Sequence, residues 1–302
     1  MFSILVFTAG IPLGAAAAQS ESSPAVIPVP EARYVLIGLE PQMLPGIRDA
    51  YAEARDGLTG RIGWPLAFRP TVVVVGEPGR FRAMAGGLPV SAYALGESNT
   101  MVIDYRAAVA GDRLVSLLRH ELCHLVLHDR IGRPGLPRWL DEGIAQWASD
   151  GLSELVYGES RPLLQRAVLA GREIPLRRLD SAFHGDEATL RLAYAQSASL
   201  VRILADTFGD DGILRLLDHL DRGSGLEAAV RASLGIDMTE WEALWRESFR
   251  TFGGRLAALA SHLYSLLFFL MALMTVAAFL RYRKRRRELA EEEDEEDAFN
   301  DS

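Results

Sequence analysis

Hydrophobic positions along the chain change their period part-way through. Tyr34 to Leu39, the β-branched run Thr71 to Val75 and Met101 to Tyr105 have the length and residue types of strands, and Leu44 to Leu58 between them repeats apolar positions at helical spacing. From Asp112 onward the period is helical almost throughout, over 112 to 129, 139 to 150, 160 to 171, 187 to 208, 210 to 220, 224 to 234 and 238 to 250. Punctuation supports several ends: Asp112 as an N-cap, the Gly- and Pro-rich loop 132 to 137, and Thr239 with Glu242 as a capping box. The pattern predicts an α+β fold, with a small N-terminal mixed sheet and its helices followed by a helical C-terminal half. No internal repeat is visible.

Both terminal regions carry long apolar stretches. Residues 1 to 18 run from an apolar segment, Phe2 to Leu13, to Ala16-Ala17-Ala18 before Gln19, which predicts a secretory signal with an A-x-A cleavage site. The segment before it lacks Lys and Arg, so an uncleaved anchor is the alternative; Gly10, Pro12 and Gly14 argue against a buried strand. A linker containing Pro and Ser follows over 19 to 30. Leu263 to Leu280 is eighteen residues without a charge, and extension back to Leu256 adds only His262 as a strongly polar interruption. A bilayer needs about 20 such residues, so one transmembrane helix is expected over 256 to 280. The cluster Arg281, Arg283, Lys284, Arg285, Arg286 and Arg287 then marks the cytoplasmic side. The expected order is signal peptide 1–18, linker 19–30, ectodomain 31–255, membrane helix 256–280 and a basic-then-acidic cytoplasmic tail 281–302. The body would therefore face the periplasm or the cell surface.

The composition limits the function classes. A 302-residue chain with 49% hydrophobic and 24% charged residues can bury a core. Its net charge of −8, with no basic face outside 281 to 287, argues against nucleic-acid binding. The one cysteine, Cys123, excludes an intramolecular disulfide. Its place inside a helical motif fits a small apolar core residue, with a regulatory thiol as the alternative.

The chemistry concentrates at His120-Glu121-Leu122-Cys123-His124, an H-E-x-x-H sequence inside a helical run. Four residues apart, the two imidazoles share one helix face and can meet one ion, while Glu121 is rotated off that face towards where an attacking water would sit. A catalytic zinc takes three protein ligands and keeps one open position. His128 repeats the spacing, but it lies about 12 Å along the axis from His120, out of reach of Zn–N bonds of about 2.0–2.1 Å, and suits a surface or outer-shell role. Glu142 is the stronger candidate, on a second helix reached through the loop 132 to 137. Read alone, a Glu near a helix start is equally a favourable partner for the helix dipole.

The stretch Trp139-Leu140-Asp141-Glu142-Gly143-Ile144-Ala145-Gln146-Trp147 changes that balance, because it follows the first motif by the right distance. Together the two motifs resemble the gluzincin metallopeptidases, the peptidase-MA-like clan of thermolysin and aminopeptidase N, in which H-E-x-x-H is followed by a W-L-x-E-G-x-A helix. Seventeen residues separate His124 from Glu142, close to the short spacing of the aminopeptidase N branch. The likeness runs on through Ala193-Tyr194-Ala195-Gln196-Ser197 to Trp241 and Trp245, while the N-terminal sheet matches only in pattern.

The resemblance implies a zincin-like fold holding one zinc ion per chain. His120, His124 and Glu142 would be its ligands, Glu121 the general base, and a peptide or protein the substrate. It also implies a donor for the oxyanion of the intermediate: Tyr194 is the candidate, with core packing as the bland reading and His184 as the alternative donor. Two departures stand out. Where thermolysin-like enzymes place an Asp that orients the first His, this chain has Gln146, a weaker acceptor. The G-A-M-E-N segment of aminopeptidase N has no counterpart, the nearest text being Gly96-Glu97-Ser98-Asn99, so an endopeptidase is expected. The strand 101 to 105 beside it is expected to border the cleft and to pair with an extended peptide. The competing function class is a non-catalytic binding or scaffold module at the membrane that keeps the fold.

Overall fold

The computed structural model describes residues 24–88, 90–110, 113–132, 135–150, 160–249, 267–279 and 281–283. The chain divides into two compact units, Met1–Arg246 and Glu247–Ser302.

The first unit is α+β. Five strands form one mixed sheet: β1 (Ala25–Val29), β2 (Ala32–Ile37), β3 (Thr71–Val75), β4 (Ala92–Leu95) and β5 (Thr100–Asp104), in the order β1-β2-β3-β5-β4. β2, β3 and β5 are parallel, and β1 and β4 close the two edges antiparallel. β3 reads Thr-Val-Val-Val-Val because it is central and covered on both faces, with Val72, Val74 and Val75 fully buried. On one face Ile37, Val73, Val75 and Val102 pack with Phe81 and Ala85, from α2 (Pro78–Met84) and its C-cap. The other face receives α1 (Leu44–Ile62), whose Tyr51 meets Tyr34 of β2 edge-on at 6.0 Å. α1 buries Ile47, Ala50, Tyr51, Ala54, Leu58 and Ile62, an apolar stripe at helical spacing, and stops at Gly63 in the left-handed conformation.

α3 (Tyr105–Ala110) leads from β5 towards α4 (Leu114–Arg130), and α5 (Arg138–Ala148) follows. Then come α6 (Ser160–Leu169), α7 (Leu176–Ala182), α8 (Glu187–Asp221), α9 (Leu226–Leu234) and a helix over 238–249. α4 lies between α1 and α5, and α5 lies against α8. This sandwiching explains why α4 is buried continuously from Leu117 to Leu118 and from His120 to Leu127, and α5 from Trp139 to Ala148. Gly143 is required by the α5–α8 contact, since a Cβ there would sit 2.6 Å from the Ser197 carbonyl oxygen and from Val201 Cγ2.

Several expectations need correction. The linker over 19–30 contains β1, paired to β2 from Ala25↔Leu36 to Val29↔Ala32. The strand expected at 101–105 is not an edge: β5 is flanked by β3 and β4, and β4 holds the edge. The break expected between 187–208 and 210–220 is present: Gly209, with φ 71° and ψ 172°, is non-helical, so α8 is two helices meeting across a kink there. At 238–249 the cap is Asp237, whose Oδ1 accepts from Thr239 N and Glu240 N while Glu240 Oε2 accepts from Asp237 N. Glu242 instead accepts from Leu176 N and pairs with Arg246. Asp112, expected to cap α4, lies outside the described residues, as do the segment 1–18 and the tail beyond 283.

In the second unit, residues 267–279 form a helix with Phe268, Met271, Met274 and Phe279 exposed. The remainder of the expected membrane segment, 256–266 and Leu280, lies outside the described residues. Among the described residues no helix is long and apolar enough to cross a membrane.

Candidate metal centre

α4 and α5 together bring His120, His124 and Glu142 to one point, with one ligand-type atom from each lying within 4.8 Å of the others. The two Nε2 atoms are 3.1 Å apart, and Glu142 Oε2 lies 3.9 Å from His120 Nε2 and 3.6 Å from His124 Nε2. The circle through these three atoms has a radius of about 2.1 Å, which is the length of Zn–N and Zn–O bonds, roughly 2.0–2.2 Å. The donor spacing therefore fits a zinc-sized cation. All three side chains are buried.

The opposite ring nitrogens fix which atoms face the point. His124 Nδ1 lies 2.8 Å from Asp141 Oδ1. Burial alone would push the Asp141 carboxyl up, but the imidazoles of His124 and His128 outweigh it by charge and hydrogen bonding, and hold the group well below the usual carboxylate range. An ionised carboxylate can only accept, so His124 donates from Nδ1 and keeps its lone pair on Nε2. His120 is served by Ser149, whose hydroxyl donates to the Ala145 carbonyl at 2.8 Å and whose oxygen lies 3.4 Å from His120 Nδ1. Three electron-pair donors thus converge, each imidazole in the tautomer a metal site needs.

Asp141 is where the structure departs from the sequence reading. Gln146 is buried, but it is the Ser149 hydroxyl oxygen, 3.4 Å away, that lies against the outward nitrogen of His120. The carboxylate that orients an imidazole comes instead from the residue just before the third donor, and it serves His124. The second oxygen of Asp141 lies 2.8 Å from His128 Nε2, which gives His128 the outer-shell place rather than a place among the donors. His128 is also packed on Gly96, where a Cβ would come within 2.7 Å of Nδ1. With Gly96, Glu97, Asn99 and Asp129 it lines an open cleft of about 340 Å³ whose lining includes none of the three donors.

The remaining candidates are distributed around this point. Glu121 is fully buried on α4, next to His120. Cys123 faces the core, and burial pushes its thiol up to about 12, which removes the thiolate a regulatory thiol would need. Tyr194 on α8 is buried against Phe183, edge-on at 5.1 Å, and its hydroxyl accepts from Arg138 Nη2 at 3.4 Å. Arg138 also lies 3.6 Å from Glu142 Oε1. Tyr194 is therefore packed in the core, with Arg138 between its hydroxyl and Glu142. His184 is exposed in the turn after α7. Sequence reasoning missed Asp141, Ser149 and Arg138. The only signal for them was position, one residue before, seven after and four before Glu142 on a helix already implicated.

A model of the peptidase MA superfamily matches residues 85–251, the stretch that carries β4, β5 and all the helices from α3 through 238–249. No curated protein matches the chain.

Proposed function

The chain belongs to the peptidase MA superfamily, and from that premise we propose that it is a zinc-dependent endopeptidase tethered to a membrane, with its catalytic domain outside the cytoplasm. The observation that carries the reading is the triangle of His120 Nε2, His124 Nε2 and Glu142 Oε2, whose dimensions suit one zinc ion. Zinc held there supplies a Lewis acid that polarises the scissile carbonyl and acidifies a water.

The chain's own groups do the rest. Asp141 and Ser149 hold the two imidazoles so that only lone pairs face the centre. Glu121, beside His120, takes the proton of the attacking water and passes it to the leaving amine. Tyr194 donates its hydroxyl hydrogen to the developing oxyanion, a contact of the kind worth about 3 kcal/mol in other enzymes. Burial around His120, Glu121 and Glu142 keeps bulk water away and strengthens these interactions. The endopeptidase reading rests on the sequence, which has no G-A-M-E-N segment; the nearest stretch, Gly96–Asn99, forms the turn between β4 and β5.

The tether rests on the uncharged run Leu263 to Leu280 and the basic cluster after it. The outward orientation rests on the same cluster and on the segment before Gln19. Glu121→Gln tests the catalytic reading. The variant is expected to keep zinc and fold but to lose at least about a hundredfold in peptide hydrolysis. Unchanged hydrolysis would refute the general-base role, and a zinc-binding wild type without hydrolysis would leave a non-catalytic scaffold module.

A further inference from the structure

We propose that Arg138 is a positioning residue that ties the third donor of the metal centre to the phenol of Tyr194; this rests on reading Glu142 as a ligand and Tyr194 as the oxyanion donor. Arg138 opens α5, its backbone N–H donating to Asp180 Oδ1 at 2.6 Å, and it stands four residues before Glu142 on the same helix face. Its guanidinium carbon lies 4.8 Å over the ring of Phe183, and Phe183 in turn packs edge-on against Tyr194 with an interplanar angle of 74°. Nε lies 3.6 Å from Glu142 Oε1, and Nη2 donates to the Tyr194 hydroxyl oxygen at 3.4 Å.

One planar cation therefore touches both groups, and the stack on Phe183 fixes its plane. On the Glu142 side, Arg138 forms an ion pair with Oε1 at 3.6 Å, longer than a hydrogen bond, while Oε2 is the oxygen turned to the imidazoles. On the Tyr194 side, a guanidinium can only donate, so the phenol receives that bond on its oxygen and its own hydrogen is not spent on Arg138. The two directions share one rigid fork and are not independent: a shift of the guanidinium moves carboxylate and phenol together. A lysine keeps the charge but has neither the plane nor the fork.

The test uses the zinc-loaded full chain and the best substrate in a library of quenched fluorogenic peptides. Arg138→Met and Arg138→Lys are each made alone and with Tyr194→Phe. Arg138→Met is expected to keep its zinc and a KM within about twofold while kcat falls about tenfold or more. Arg138→Lys should restore little of that loss. With Tyr194→Phe already present, the further loss on Arg138→Met should shrink by at least about threefold, because the group it positions is gone. A merely structural role would lower the melting temperature and cost the same factor in both backgrounds. Equal losses in the two backgrounds, or full kcat in Arg138→Met, overturn the inference and leave the peptidase reading intact. Full activity in Tyr194→Phe removes the phenol from the chemistry and the inference with it. A zinc-loaded wild type that cleaves no peptide overturns both.

Discussion

Asp141 offers the sharpest test of how the centre is held. Its carboxylate accepts from His124 Nδ1 and meets His128 Nε2, each at 2.8 Å, in a buried setting. Replacement by Ala removes both bonds and frees the His124 ring to turn and to take the other tautomer. Losing the carboxylate behind a metal-bound imidazole costs about 10–100-fold in affinity. That corresponds to roughly 1.4–2.8 kcal/mol at about 1.4 kcal/mol per decade. Asp141→Asn should cost less, within about tenfold, because its carbonyl oxygen can still accept from Nδ1 although the ionic part of the bond is lost. The assay is competition for zinc against a chromophoric chelator of known affinity. Thermal melts of the zinc-free variants run alongside to show that they are folded. A folded Asp141→Ala that binds zinc within about twofold of wild type would refute the claim that Asp141 positions His124.

Other consequences follow from single contacts. Gly143→Ala places a Cβ 2.6 Å from the Ser197 carbonyl and Val201, an overpacking that costs about 1–3 kcal/mol and should lower the melting temperature by roughly 2–10 °C; an unchanged melt would show that α5 and α8 can part freely. Cys123, with its thiol pushed up to about 12, should hold only about one part in ten thousand as thiolate at pH 8 and react with a thiol reagent only after unfolding; fast labelling of the folded chain would contradict its burial. The full chain should stay with membranes through high-salt and alkaline washes, whereas recovery in the soluble fraction would refute the tether.

The centre was legible in the sequence to the extent that its geometry is local. His120 and His124 share a helix face by spacing alone, and Glu142 falls into place because α5 returns along α4 after a short loop. Contacts that depend on how helices meet were not legible. Asp141 and Gln146 are five residues apart on one buried helix, and only the register of α5 against α4 decides that Asp141 reaches an imidazole. Arg138 meets Tyr194 fifty-six residues away, across the α5–α8 interface. In the sheet, the β-branched β3 announced itself, whereas β4 reads only Ala-Tyr-Ala-Leu and β1 carries Pro28. A proline in β1 and a four-residue β4 are tolerated because both strands are edges, paired on one side only. At 237–242 the sequence reading takes Thr239 with Glu242 as the capping box, and the backbone geometry instead uses Asp237 with Glu240.

The central claim is that His120, His124 and Glu142 hold one zinc ion, and the most direct measurement is zinc per molecule in purified full chain beside Glu142→Ala, each dialysed after loading. About one zinc in the wild type and far less in the variant is the predicted result. A well-folded wild type that retains no zinc, or a variant that retains as much as the wild type, would contradict the account.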